Sequence, residues 1–319
     1  MPQLMISLDK NILNTDSIVA RRMVEYGKKD ELFIIIPDKE KNIFDLSLTV
    51  HVQSTGGYKI QRLFRLIKLG SKIVKEYAGI ELITTQDPFF TGLAGWCLKR
   101  KFKIKLEVQM HGDFLGDYYK KQWIRLSLAK FIIRRAEVIR VAGERIKKSL
   151  VKLGVREDKI FVKPIAVDTE KIKDYLPKID LHQKYPGYAK IFLVLGRPDP
   201  VKNIEWLVEI FKEVTKQKNY LLLIVGGGRD EINIQYPISN IQLEPWTTDP
   251  ISYLKNADCL LFPSLSEGYG LVAMEANAAG CPVIMNDVGV ANYELKPSER
   301  VKIIPVSDRE AWIKAMLDV

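Results

Sequence analysis

The feature that most narrows the fold is an alternation that runs the length of the chain. Strand-length apolar runs give way, again and again, to segments of helical period. In the first half the strand-like runs lie at 4–8, 32–36, 46–50, 82–85, 104–109 and 138–141. Helix-period segments lie at 16–28, 59–77, 90–102, 119–135 and 143–153. Strands that alternate with helices predict a parallel sheet covered on both faces. The rhythm breaks between 164 and 187, a polar stretch with Pro177 and Pro186 that reads as a linker, and then restarts. Strands are expected at 190–195, 221–225, 241–243, 259–262 and 282–285, and helices at 203–217, 250–256, 271–279 and 309–317. At 319 residues the chain has room for two domains. The expectation is an α/β protein with one Rossmann-like domain over 1–166 and a second over 167–319, their parallel sheets facing a central cleft.

Charge is unevenly shared between these halves. Residues 1–165 hold 32 Lys and Arg against 18 Asp and Glu, a balance of +14, while the remainder carries −4. The first half is therefore expected to meet an anionic surface or ligand. No apolar run reaches the ~18 residues of a spanning helix, and the opening MPQLMISLDK has no basic n-region or continuing apolar stretch. Cys97, Cys259 and Cys281 stand far apart with no C-x-x-C, so a reducing cytoplasm is the natural setting.

Several chemistries fall away. Gly226, Gly227 and Gly228 follow a strand, but position 231 is Glu231, so the dinucleotide fingerprint fails and a tight strand-exit turn near a ligand fits better. No P-loop motif occurs, and His51, His111 and His182 are too few and too scattered for H-E-x-x-H. The strongest signal is the stretch from Pro263 to Ala276. It has a strand before it, a Gly268-Tyr269-Gly270 turn, and a helix from about Leu271 that carries Glu275 eight residues after Glu267. Such a turn aims backbone N–H groups and a positive helix end at a ligand, which suits a diphosphate. The two carboxylates suit sugar hydroxyls. The plain alternative is a capped helix with two solvated glutamates.

These residues, with their flanks, resemble the E-x7-E element of the family 4 retaining glycosyltransferases, which have the GT-B fold. Gly196-Arg197-Pro198 with Lys202-Asn203 is similar to the family's element after the first donor-domain strand. Gln109-Met110-His111-Gly112-Asp113 is similar to its His-bearing loop, and further likeness at 85–89 and 140–145 extends the resemblance over roughly 82–317.

The resemblance implies a nucleotide-diphosphate sugar as donor and a glycan or lipid-linked acceptor, with glycan, polysaccharide or glycolipid assembly as the setting. Arg197 and Lys202 would hold the diphosphate, Gly196 would also line the donor site, and Glu275 would take the ribose. Glu267, with the backbone of Gly268, Tyr269, Gly270 and Leu271, would position the transferred sugar. His111, whose plain reading is a loop histidine bonded to a carbonyl, would serve the sugar and the reacting centre. No D-x-D occurs and the cations can supply the positive charge, so neither metal nor cofactor is expected. A catalytically silent GT-B nucleotide- or glycan-binding protein is the alternative. The chain departs from the family at 9–15, which lacks the usual glycine-rich loop, at Gly143 in place of serine, and at Leu243-Glu244-Pro245-Trp246.

The basic first half has a pattern of its own. Lys59, Arg62, Arg65, Lys68, Lys72 and Lys75 fall at spacings of three and four, and Lys121, Arg125, Lys130, Arg134 and Arg135 accompany Trp123 and Phe131. Peripheral contact with the anionic inner face of a membrane is expected. A nucleic-acid partner is not, because no binding motif appears.

Overall fold

A computed structural model describes the chain except for residues 59–60, 78, 114, 116–121 and 228–238. The expectations resting on Lys59, Lys121, Gly228 and Glu231 lie outside the described residues. The chain divides into two compact units. One is Met1–Ala142 with Ile146–Lys163, and the other is Gly143–Arg145 with Pro164–Val319.

The first unit is built on strands β1 (Gln3–Ile6), β2 (Leu32–Ile36), β3 (Ile43–Ser47), β4 (Val50–Ser54), β5 (Leu82–Thr85), β6 (Lys105–Met110), β7 (Val138–Val141) and β8 (Ile160–Val162). Their order in the sheet is β3-β4-β2-β1-β5-β6-β7-β8. All described pairs are parallel except β3 with β4. Helices α1 (Ile18–Gly27), α2 (Arg62–Glu76), α3 (Phe90–Phe102), α4 (Trp123–Ile133) and α5 (Glu144–Lys152) connect them. The strand LFIII of β2 is buried at all five positions, as a central parallel strand must be.

The antiparallel pair corrects one expectation. The alternation of Leu46, Leu48 and Val50 reads as a single strand over 46–50, yet Leu48 is 98% exposed at the turn of a hairpin. The Ser47 hydroxyl accepts from the Thr49 backbone N–H at 3.3 Å, so a hydroxyl-to-backbone bond closes the turn that periodicity alone reads through.

The second unit has strands β9 (Lys190–Leu195), β10 (Tyr220–Val225), β11 (Ile241–Glu244), β12 (Cys259–Phe262), β13 (Val283–Asn286) and β14 (Val301–Ile304), in the order β11-β10-β9-β12-β13-β14 and all parallel. Its helices are α6 (Thr169–Lys173), α7 (Leu181–Lys184), α8 (Ile204–Thr215), α9 (Pro250–Asn256), α10 (Leu271–Ala279) and α11 (Arg309–Leu317). Phe192, Phe211, Leu222 and the fully buried Trp312 anchor its core. The stretch 164–187 is more than a linker. Asp168 and Asp180 accept from the backbone N–H groups of Lys171 and Gln183 and so start α6 and α7, and Lys178 donates its backbone N–H to Ser252 Oγ at 2.8 Å.

Candidate functional site

The order of the second sheet fixes where a ligand can enter. From β9 the chain crosses to β10 on one side, and from β12 it crosses to β13 on the other, yet β9 and β12 are neighbours. A crevice outside the carboxyl ends of two such strands is the usual ligand position in an open α/β sheet. The helices that leave these two strands, α8 and α10, also differ from the rest of the unit. Aspartates cap α6, α7, α9 and α11. In contrast, α8 and α10 begin at left-handed residues, Asn203 (φ 56°) and Gly270 (φ 100°), and no side chain caps either. Both positive helix ends are thus left open toward the same crevice.

Backbone crowding explains the glycines here. A Cβ on Gly226, at φ 127°, would run into the Gly196 carbonyl oxygen, so the exits of β9 and β10 can lie side by side only with glycine there.

Lys202 lies in the short turn Pro200–Lys202, where Asp199 accepts from the Val201 N–H. Lys202 Nζ donates to Glu267 Oε1 at 2.6 Å and stands 5.5 Å from the centre of the Phe262 ring. The Leu265 N–H donates to the Val201 carbonyl at 2.8 Å, tying this turn to the loop from Pro263 to Gly270. A second tether is buried. Asn286 Nδ2 donates to the carbonyls of Pro263 (2.7 Å) and Ser264 (3.1 Å), and Trp312 Nε1 donates to Asn286 Oδ1 at 2.9 Å. Beside Lys202, Asn203 Nδ2 is buried with no hydrogen-bond partner.

The structure therefore brings together Gly196, Lys202, Glu267 and the Gly268–Leu271 segment of the predicted set. Arg197 is exposed just beyond β9. Glu275, in the second turn of α10, is half-buried with no hydrogen-bond or ion-pair partner among the described residues. His111 lies in the first unit, directly after β6. It is exposed on one side, and desolvation by the protein around it, then the nearby Arg140 and Arg22 charges, lowers its pKa below the usual 6.5 and favours the neutral ring at pH 7. Asn286 and Trp312 stand in no motif of the sequence, and Asn203 belongs to the Lys202-Asn203 element, where it has no role of its own. Among the described residues no three metal-ligating side chains converge.

Burial raises the Glu275 pKa above 4.5. The folded state then binds this proton more tightly than the unfolded chain does. That contribution to stability is present below about pH 4.5 and is lost as pH rises through the raised value. Glu275→Gln should therefore melt at a higher temperature than the parent at pH 7, with the gap closing toward pH 4 in scanning calorimetry.

Comparison with known proteins covers nearly the whole chain. Residues 19–171 match the family described as Glycosyltransferase Family 4, and residues 189–319 match Glycosyl transferases group 1. UDP-Gal:alpha-D-GlcNAc-diphosphoundecaprenol alpha-1,3-galactosyltransferase of Escherichia coli is 28% identical, over 72% of this chain and 64% of that protein. Alpha-monoglucosyldiacylglycerol synthase of Streptococcus pneumoniae is 25% identical, over 77% and 61%. The chain thus spans a little over three fifths of these two relatives. Among solved structures, sucrose-phosphate synthase from Thermosynechococcus elongatus has a TM-score of 0.78 at 18% identity, over 100% of this chain and 89% of that one. The Anabaena HepE protein, solved with UDP-glucose, has a TM-score of 0.72 at 14% identity, over 99% and 88%.

Proposed function

The chain belongs to the family 4 glycosyltransferases (glycosyl transferases group 1) and has the GT-B fold, and from that premise we propose that it transfers a sugar from a nucleotide-diphosphate sugar to an acceptor hydroxyl. The transfer proceeds with retention, without a metal or other cofactor. The observation that carries this reading is the crevice at β9 and β12, where two uncapped helix ends meet the Lys202–Glu267 pair.

Gly196, Arg197 and Lys202 hold the diphosphate, and the start of α10 from Gly270 to Leu271 adds backbone donors. Lys202 has three donors, so it can keep Glu267 and take a phosphate oxygen as well. Glu267, Gly268 and Tyr269 place the sugar, and Glu275 accepts from the ribose hydroxyls. In the reacting step the bond from the anomeric carbon to the diphosphate oxygen breaks, and its electron pair leaves with the diphosphate. The acceptor oxygen bonds to the same face, and its proton passes to the departing phosphate oxygen. His111, neutral and so able both to donate and to accept, serves the sugar at that centre.

Two relatives named for a diphosphoundecaprenol substrate and a diacylglycerol product support a lipid-linked acceptor and a part in glycolipid or polysaccharide assembly. On this reading the first unit docks peripherally on the anionic inner, cytoplasmic face of a membrane. Phe64 on α2 and Trp123 and Ile124 on α4 are 70%, 70% and 66% exposed beside the exposed Lys68, Lys72 and Arg125. No helix among the described residues is long and apolar enough to cross a membrane. Each engaged basic residue is worth about 1 kcal/mol at an anionic leaflet. Co-sedimentation should therefore favour anionic over neutral vesicles and weaken with salt. Equal binding to both, or none to either at low salt, excludes the docking.

The donor reading is tested by a thermal-shift screen of nucleotide sugars. A donor at ~100 times its dissociation constant adds roughly 2.7 kcal/mol of stability, a shift of several degrees for a unit this size. Glu275→Gln should weaken the free nucleotide diphosphate by ~1–3 kcal/mol. Unchanged affinity in that variant removes Glu275 from the ribose.

A further inference from the structure

We propose that the hollow between the C-terminal ends of α3 and α4 binds a phosphate-bearing organic anion, at a site separate from the donor crevice and independent of the function assigned to it. The hollow measures about 510 Å³ and is lined by Lys99, Arg100, Lys103, Lys105 and Arg135 together with Trp96. It opens where β6 begins. His111 follows the other end of that strand, six residues on, or ~20 Å away at strand rise.

Five cations surround the hollow, and one carboxylate, Glu137, is present to balance them. That carboxylate is already engaged: it accepts from Lys99 Nζ at 2.5 Å and from the Leu106 N–H at 2.9 Å. Burial alone would raise its pKa, but these two bonds hold it below the usual carboxylate range. Arg100, Lys103, Lys105 and Arg135 have no carboxylate within ion-pair distance among the described residues, although the chain pairs its surface lysines readily elsewhere. Lys28 with Glu25, Lys72 with Glu76, Lys212 with Glu209 and Lys216 with Glu213 all sit three or four residues apart. The end of α3 accounts for part of the positive charge, since a helix C-terminus carries about half a negative charge. Two such ends leave a clear positive excess around one hollow, where an anion relieves the mutual repulsion.

Part of the lining is also held in place before any ligand arrives. The Arg135 guanidinium lies 3.6 Å from the centre of the Phe131 ring and donates to the Phe131 carbonyl at 3.1 Å. Trp96 packs edge-on against the same ring at 5.0 Å, with the Arg100 guanidinium 5.8 Å from the centre of the indole. A fixed guanidinium beside an indole recognises a phosphate joined to an organic group, and its preorganisation lowers the cost of ordering on binding. The volume exceeds what inorganic phosphate fills, which leaves room for that group along Trp96 and Ile104.

The phosphate can come from a soluble monoester or from a lipid headgroup, and the experiment separates the two. Glycerol phosphate is titrated at low salt while the Trp96 indole N–H is followed by NMR, assigned with Trp96→Phe. In parallel, phosphatidylcholine vesicles with and without phosphatidic acid are co-sedimented. The double variant Lys103→Ala/Lys105→Ala is compared throughout, with its fold checked by its melting temperature and by an unchanged response to nucleotide sugars. A saturable indole shift with glycerol phosphate, weakened at least ~10-fold in the double variant, supports a soluble ligand. Binding only to phosphatidic acid vesicles, lost in the double variant, supports the lipid source. If neither probe distinguishes the parent from the double variant, the site is overturned, whatever becomes of the transferase reading.

Discussion

Lys202→Ala should lower turnover at least ~100-fold, the scale of removing one preorganised charge from a developing anion. The loss should appear in kcat as well as in donor affinity, because charge on the departing diphosphate grows as the sugar bond breaks. The variant also releases Glu267 from its 2.6 Å partner, so Glu267→Gln serves as a control that removes the carboxylate charge and keeps the lysine. Arg197→Ala should fall by a similar factor if its exposed side chain folds onto the diphosphate. Turnover within a few-fold of the parent in both variants, at unchanged melting temperature, removes these cations from the leaving group.

The largest effect on stability is expected from a residue that touches no substrate in this account. Asn286 is fully buried at the end of β13. Its amide holds the Pro263 and Ser264 carbonyls, and its carbonyl holds the Trp312 indole. Asn286→Ala strands three buried polar groups at about 1–3 kcal/mol each. Even with partial relaxation a loss of ~3–5 kcal/mol is expected in denaturant unfolding of the second unit. The Pro263–Gly270 loop loses its buried tether in the same step, so on the proposed reading donor affinity should fall too. Asn286→Asp keeps the acceptor for Trp312 but sets a carboxylate against two carbonyls, and should be no better. A change below ~1 kcal/mol in Asn286→Ala would show that the loop is held by other contacts.

What the sequence makes legible follows from range. Strands such as 190–195 and helices such as 271–279 appear in full because their apolar periods are local. β14 escapes the pattern because VKII is four residues long and carries Lys302, and the prolines of 164–187 mask the short helices α6 and α7 although Asp168 and Asp180 announce them. The site divides the same way. Gly196, Lys202, Glu267 and Glu275 stand in short motifs, whereas the Asn286 network joins residues 22 to 26 positions apart, which no local pattern records. Glu244 is another such case, gathering Lys184 Nζ (2.8 Å), Tyr185 OH (2.5 Å) and Tyr253 OH (2.6 Å) around one carboxylate. These bonds hold the carboxylate below its usual pKa against the opposing effect of burial. From sequence, Glu244 registers only as part of the 243–246 segment that departs from the family.

The central claim is that the β9–β12 crevice cleaves a nucleotide sugar with retention and without metal, and it can be tested before any acceptor is known. A panel of α-linked uridine- and guanosine-diphosphate sugars is incubated with the protein and a chelator, and the sugar slowly released to water is followed by proton NMR. The account predicts that one donor is consumed, that its sugar appears first as the α anomer, and that Lys202→Ala abolishes the release. A β anomer first, a strict need for divalent cation, or consumption that Lys202→Ala leaves unchanged would contradict it.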